Sequence, residues 1–357
     1  MVGSTLTPAD GRVNVMSDRS QPAGEPLRAP IAETLAERFA LGTVVSCTPI
    51  TQGLMNPNWR LRTTSGLFAV KRLRDASPAA VRRQHQLLPR LAEHGLPVPA
   101  ACPTRGGDSL AEIDGDWYAV IGWLPGAHRT GRQLSLTACR ALGELLGRIH
   151  VCLRELLPGA PPSLVDDPRP VADTAAKLDH YARAAAAGRD DFDAFAVSEI
   201  AWRQRHLREV GDLRPPAAPA VRPVGWTHGD INHLNLLFTG DRVSGVLDWD
   251  RLDVRTYGLE VVRTATVLFA TGGREGADLR RIAAFVAGYR THMAIDDDAL
   301  RDAAHRRWWT LVCDTWFLSL HYDRHNRSCD HLFRSSGQVL RWWTAHRDAV
   351  DAALMWR

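Results

Sequence analysis

The chain has 357 residues, a mass of 39.5 kDa and a formal charge of +4. Its 44 basic residues are nearly balanced by 40 acidic ones and form no long basic block, which argues against a nucleic-acid partner. No run approaches the roughly 18 apolar residues of a membrane span, and no basic segment followed by an apolar core opens the chain, so no membrane partner and a cytoplasmic location are expected.

Six cysteines show no CxxC pair and sit mostly in apolar contexts, which fits reduced, buried thiols rather than a disulfide scaffold. Of the 44 basic residues only two are lysine, Lys71 and Lys177. In a chain so biased to arginine, a retained lysine invites the question of what lysine does there.

Residues 1–30 are rich in Gly, Pro, Ser and Asp and are expected to be disordered. A short helix follows over 31–39. Strands are expected at Val44–Ile50, Trp59–Thr63 and Leu67–Leu73, the last with Ala69, Lys71 and Leu73 on one face. Residues 78–94 read as a helix, stopped by Gly95, Pro97 and Pro99. Asp114-Gly115 marks a hairpin whose second strand is Trp117–Ile121. Beyond Gly122-Trp-Leu-Pro-Gly126, helix dominates. Leu136, Cys139, Leu142, Leu146, Ile149 and Leu153 recur at helical spacing. Further helices are expected at 170–187, 191–211, 258–271, 276–294 and 298–323, and from about 335.

The chemistry-bearing stretch is Trp226 to Asp250. Strands Leu234–Phe238 and Val243–Trp249 flank the turn Thr239-Gly-Asp-Arg242. A symmetric hairpin sets Phe238 opposite Gly245, Leu236 opposite Leu247 and Asn235 opposite Asp248. Opposed residues have Cβ atoms about 5 Å apart, so an amide oxygen and a carboxylate would converge at the open end, with Asp230 on the loop feeding it. Hard oxygen donors of this kind suit Mg²⁺. Phosphoryl transfer needs such a metal, a cation on the phosphates and an Asp for the attacking hydroxyl. Turn capping explains any one of these residues, but poorly explains three beside strands of Leu, Val and Phe.

His228-Gly-Asp230-x4-Asn235 followed by Leu247-Asp-Trp-Asp250 resembles the signature of the aminoglycoside phosphotransferase and choline kinase-like (APH) superfamily, and is similar to the HRDxxxxN and DFG elements of protein kinases. Gln52-Gly53 resembles the nucleotide-covering turn, Phe68-Ala-Val-Lys71 the third-strand lysine, and Ile121-Gly-Trp-Leu-Pro-Gly126 the hinge. The resemblance implies an α+β, bilobal protein-kinase-like fold. Its small β-rich N-lobe would span 31–121, the hinge 122–126, and a larger, mainly helical C-lobe 127–357. It implies Asp230 as catalytic base or hydroxyl-orienting group and Asn235 and Asp248 as Mg²⁺ ligands. Lys71 and Gly53 would serve the phosphates of ATP or GTP, and the backbone at Gly122, Trp123 and Leu124 the purine. His228 would brace the loop, with Asp250 in a supporting or substrate-facing place.

Two positions depart from the pattern. The helical Glu that usually pairs with the lysine is replaced by Gln84, which can hydrogen-bond Lys71 but supplies no charge. Downstream of Asp248, Tyr257-Gly-Leu-Glu260 stands where the family has an Asp, and Glu260 is expected to serve structure at a helix start. Gly229 before the catalytic Asp, the missing Ala-Pro-Glu and the early return of helix leave little room for a peptide platform. A small-molecule hydroxyl is therefore the expected acceptor.

An antibiotic ranks first, because Trp308, Trp309, Trp316, Trp342, Trp343 and Trp356 could stack on rings, although helix packing explains any single one better. The alternatives are a metabolic kinase of the homoserine, choline or sugar type, and a nucleotide-binding pseudokinase permitted by Gln84. Asp296-Asp-Asp298 reads as a helix cap before it reads as a cation trap. His321, His325, Cys329 and His331 have spacings that suit zinc if one helix carries them, but Asn326, Arg327 and Ser328 interrupt that helix. They are otherwise expected to line the substrate pocket.

Overall fold

The computed structural model describes residues 24–51, 56–74, 76–159, 164–221, 223–271 and 276–356. Order begins before the expected boundary at residue 30. The Glu25 carbonyl accepts the Trp59 indole N–H at 2.8 Å, Leu27 packs beneath the sheet, and helix α1 already starts at Ala29 (Ala29–Arg38). The earlier part of that segment, and Gly53 with its neighbours in the covering turn, lie outside the described residues.

Five antiparallel strands form one sheet: β1 (Val44–Ile50), β2 (Asn58–Thr63), β3 (Gly66–Arg72), β4 (Leu110–Ile113) and β5 (Asp116–Gly122), in the order β1-β2-β3-β5-β4. Side chains alternate across it. Val70 faces a buried cluster with Trp59, Leu61, Tyr118 and Val120 under α1. Its neighbour Lys71 points to the other face, where Ala119 and Leu73 meet Val81 of helix α2 (Pro78–Glu93). Asp114 and Gly115 both adopt positive φ, the backbone that a two-residue hairpin turn requires.

After the sheet come α3 (Leu136–Leu156), the paired short strands β6 (Val165–Asp166) and β7 (Ala218–Pro219), and between these α4 (Val171–Ala187) and α5 (Asp191–Val210). Next are β8 (Val224–Thr227), β9 (Leu236–Thr239), β10 (Arg242–Val246), β11 (Asp253–Thr256) and α6 (Tyr257–Leu268). The chain ends with α7 (Leu279–Tyr289), α8 (Asp297–Val312), α9 (Trp316–Tyr322), α10 (Asp330–Ala345) and α11 (Arg347–Leu354). A small β-rich part thus precedes a larger helical part with its own extensive core. That core is drawn tight where α3 meets α7: a Cβ on Gly143 would lie 1.9 Å from the Phe285 carbonyl oxygen, so only glycine permits the approach.

Three expectations need correction. The stretch 298–323 is two helices, α8 and α9, broken at 313–315. The hairpin register is shifted: Phe238 faces Val243, Leu237 faces Gly245 and Leu236 faces Val246, with a bulge between Val243 and Gly245. The bulged Ser244 donates its hydroxyl to the Pro125 carbonyl at 2.7 Å, which turns it away from the ladder. Finally, His321, His325 and Cys329 share no helix face. Helix α9 stops at Tyr322, His325 takes φ +50° and Cys329 precedes α10. His321 instead hydrogen-bonds Asp330 through Nδ1 at 2.9 Å and stacks on Phe192.

The cap reading of Asp296 holds, since its carboxylate accepts Ala299 N–H at 2.7 Å at the start of α8. Trp308, Trp309 and Trp343 are buried packing residues, and the indole N–H groups of the first two bond Thr344 Oγ1 (2.9 Å) and the Arg169 carbonyl (3.0 Å). Trp316 is 38% exposed. All six cysteines are free. Among the described residues no helix is long and apolar enough to cross a membrane.

Candidate active site

Strand β8 delivers the chain to His228, and β11 pairs with it antiparallel, Asp253 opposite Thr227. Between them the chain runs through the loop 228–235, the β9–β10 hairpin and the segment 247–252. The hairpin is fixed at both ends. Phe238 and Ala127 exchange backbone hydrogen bonds (2.9 and 3.0 Å), and Val246 N–H donates to the Pro97 carbonyl at 2.7 Å. Thr256 then caps α6, accepting Leu259 N–H.

Glu260, in the first turn of α6, is buried beneath the loop. Its Oε1 accepts Gly229 N–H, and its Oε2 accepts His228 N–H (3.2 Å) and meets His150 Nε2 at 2.6 Å. Burial favours its neutral form, but the histidine and the backbone donors outweigh it and hold the carboxyl below its ordinary range. Gly229 has φ +82°, and a Cβ there would lie 2.3 Å from the Arg251 carbonyl oxygen. An arginine in this place, as in protein kinases, has no room.

His228 joins two segments. Its Nδ1 accepts Asp230 N–H (3.2 Å) and its Nε2 donates to the Leu247 carbonyl (3.0 Å). Burial pushes its pKa down, so the ring is neutral and able to play both parts.

Asp230 Oδ1 accepts from Arg263 Nη2, whose Nη1 also holds the Ile231 carbonyl. Oδ2 has only long contacts, Asn235 Nδ2 at 3.4 Å and Arg251 Nε at 3.7 Å. Asn235 Nδ2 donates at 2.8 Å to the Asp230 carbonyl, and Asn235 Oδ1 takes no hydrogen bond among the described residues. The Asn235 carbonyl accepts Leu247 N–H at 2.8 Å, so the shifted register still keeps Asp248 next to Asn235. Asp248 adopts φ +59°, a backbone that costs a non-glycine residue about 1 kcal/mol or more and collects at functional sites.

Lys71 Nζ reaches across to Asp248 Oδ1 (2.7 Å) and Asp250 Oδ2 (2.6 Å). Burial alone would lower the lysine's pKa, but the two carboxylates raise it. Burial pulls both acids upward. The lysine more than offsets this at Asp248, which is depressed, while Asp250, beside the charge of Asp248, stays raised. Gln84 is buried on α2 and makes no hydrogen bond to Lys71 among the described residues. His85 beside it is held neutral: burial, then repulsion from Lys71, pushes its pKa down to about 4 against the pull of Asp108.

At the hinge, Gly122 and Trp123 have spent their N–H groups on the carbonyls of Ala100 (2.9 Å) and Leu67 (3.1 Å). Leu124 N–H is taken by no described group. The donor set fits a hard divalent cation, since Asn235 offers an unused amide oxygen beside the carboxylates of Asp248 and Asp250. Sequence reading missed Arg263, His150 and Arg251. Arginines are everywhere in this chain, so nothing in the spacing marks Arg263 and Arg251, and His150 lies far from the motif in sequence.

The chain is 29% identical over 212 residues to a homoserine kinase of Afipia carboxidovorans, covering 59% of this chain and 60% of that one. To a homoserine kinase of Pseudomonas aeruginosa it is 26% identical over 294 residues, covering 79% and 85%. It thus spans about 60% of the length of the first of these relatives and more of the second. Spectinomycin phosphotransferase, solved with ADP and spectinomycin, superposes with a TM-score of 0.62 at 14% identity, covering 92% of this chain and 98% of that one. Amicoumacin kinase, solved with AMP-PNP and Ca²⁺, gives 0.54 at 15% identity, covering 88% and 93%. Both likenesses establish the two-lobed kinase-like fold. Residues 46–302, more than half of the chain, match the model of the phosphotransferase enzyme family (APH), and the chain belongs to that family.

Proposed function

We propose that this protein is a nucleotide-dependent O-phosphotransferase that moves the γ-phosphate of ATP or GTP to a hydroxyl of a small molecule. The observation that carries this is Asp230, with Oδ1 held by Arg263 and Oδ2 left with only the long contacts to Asn235 and Arg251. The acceptor oxygen forms a bond to the γ-phosphorus as the bond to the β-phosphate oxygen breaks. The hydroxyl proton passes to Asp230 Oδ2, and the nucleoside diphosphate leaves. Bound Mg²⁺ would neutralise phosphate charge, held by Asn235 and Asp248 with Asp250 near by. Lys71 would exchange one of its aspartates for phosphate oxygens, Leu124 N–H would meet the purine, and His228 and Glu260 would keep the loop in shape. Gly53, in the covering turn that the resemblance implies, would serve the phosphates.

For the acceptor we favour a metabolic hydroxyl compound of the amino-alcohol or hydroxy-acid kind. The sequence relatives are homoserine kinases, and three of the six tryptophans that suggested a large antibiotic are packing residues. An antibiotic is the second reading, supported by the exposed Trp316 as a stacking surface. The test is turnover of Mg·ATP and Mg·GTP over a panel of amino alcohols, hydroxy acids, sugars and antibiotics, with Asp230→Ala alongside. One class should be phosphorylated, and the variant should lose about 10²–10⁴-fold or more. Nucleotide binding without turnover across the panel would favour the pseudokinase.

A further inference from the structure

Helix α6 carries Arg263, which holds the Asp230 carboxylate, and packs along α8. From α8 comes Arg307. Its Nε is sealed from solvent with no hydrogen-bond partner, and among the described residues none of its nitrogens makes a hydrogen bond or an ion pair. This is unusual for a group with five donors and a permanent charge. Arg203 and Arg306 near by also have sealed nitrogens without a hydrogen bond, but each meets a carboxylate. Arg203 pairs with Glu199 at 3.3 Å, and Arg306 with Asp302 at 2.8 Å. The charges that bear on Arg307 are Arg263, which repels it, and Asp314, which attracts it without forming an ion pair. Asp314 instead accepts Trp316 N–H at 2.9 Å through Oδ1. Burial, with the like charge of Arg263, pulls the pKa of Arg307 down to about 10, still far above neutrality. A half-buried cation with a sealed Nε is therefore kept without an ion pair one helix away from the candidate catalytic aspartate. Arg263, shared between Asp230 and Ile231, has no carboxylate to spare for it.

We propose that Arg307 is an anion subsite of the acceptor pocket: the acceptor carries, besides its reacting hydroxyl, a carboxylate that the Arg307 guanidinium binds. The planar fork matches a carboxylate in two parallel hydrogen bonds, and the water-poor surroundings strengthen them. The same cation disfavours polycationic acceptors. This inference rests on the phosphotransferase reading above, but it assigns a residue and a chemical class that the reading does not contain. Arg307 acts by binding and positioning; it does not take part in the proton transfer.

The experiment uses the full chain loaded with Mg·AMP-PNP. Binding of short ω-hydroxy carboxylates, with and without an α-amino group, is measured by calorimetry, each beside its primary amide. Turnover with Mg·ATP is measured on the same pairs. The free acids should bind and be phosphorylated with KM lower than the amides by about 10–100-fold, the range for a hydrogen-bonded charge pair. Arg307→Gln and Arg307→Met should erase that preference through KM, with kcat on the amides unchanged. Neither variant should melt below the parent, because removing an unpaired, half-buried charge breaks no ion pair. Equal use of acid and amide, failure of every acid to bind, or loss of kcat without loss of the preference would overturn the subsite. If the acids bind in an Arg307-dependent manner but nothing is phosphorylated, the subsite stands and the kinase reading falls.

Discussion

Lys71 and Asp248 lie 177 positions apart in the chain and 2.7 Å apart in space. The contact ties the third strand of the sheet to the segment after the β9–β10 hairpin, with Asp250 as second partner of the same ammonium. An ammonium on a flexible stem can sit between two carboxylates and then swing to phosphate oxygens. A guanidinium fork is wider, more rigid and differently hydrated. Lys71→Arg should therefore lower kcat/KM for the nucleotide by about 10-fold or more, on the scale of one charged hydrogen bond. Lys177, exposed on α4, should tolerate arginine silently. Parallel steady-state kinetics on the two variants decide it, and equal activity in both would remove the special standing of Lys71.

Glu260 holds the loop from below through donors on His150, His228 and Gly229. A glutamine there has one acceptor oxygen and an NH₂ group turned against a donor. Glu260→Gln should cost about 1–3 kcal/mol of stability, the penalty of an unsatisfied buried polar group, and should reduce kcat with it. The acid side follows from the depressed carboxyl. A group whose folded pKa lies below its unfolded value stabilises above the unfolded value and loses that stabilisation as pH falls through the folded one. Denaturant melts at neutral pH and near pH 3 should thus show the variant's deficit shrinking in acid.

Gly229→Ala should be worse for activity than its one methyl suggests. The added Cβ would stand 2.3 Å from the Arg251 carbonyl, at a φ of +82° that alanine resists. The loop must shift, and Asp230 with it. A fall in kcat of at least about 10²-fold is expected from misplacement of this size, with a modest loss of melting temperature. An alanine variant with normal kcat would mean that the turn is not held where it is seen.

His85 offers a pH test. Its pKa is about 4 when folded, against 6.5 for the free group, so acid protonates the unfolded chain first. Stability should fall with a slope of up to about 1.4 kcal/mol per pH unit as pH drops from 6.5 toward 4. His85→Gln removes this contribution, and its stability should decline more gently over that window. Urea melts at intervals of pH compare the two slopes; identical slopes would show that His85 is not held neutral.

Much of the fold was legible because its punctuation is chemical. Asp114-Gly115, Gly95 with Pro97, and the Asp296 cap each stop or start an element where the backbone demands it. The break between α8 and α9 carries no such mark: Cys313-Asp-Thr315 contains neither glycine nor proline, so periodicity ran straight through it. The hairpin register was misjudged by two at the turn, where Thr239 already pairs with Arg242, and by one beyond the Ser244 bulge, whose hydroxyl is held by Pro125 more than a hundred positions away. The charged motif residues could be read from their spacing. Arg263 and Arg307 could not, for in a chain this rich in arginine only a partner, or the lack of one, distinguishes them.

Among the described residues, the side chains that touch the Asp230 carboxylate, namely Asn235, Arg251 and Arg263, come from within residues 230–263. The braces His228 and Glu260 fall in or beside the same stretch. Arg307 and the exposed Trp316 do not. The groups proposed for proton transfer and metal binding thus fall in one short, inheritable cassette, with Lys71 supplied from the sheet, while the residues proposed to face the acceptor lie on separate helices. Mutation can explore new acceptors on α8 and α9 without touching the cassette, which gives a lineage a route to diverge in substrate while its reaction stays the same.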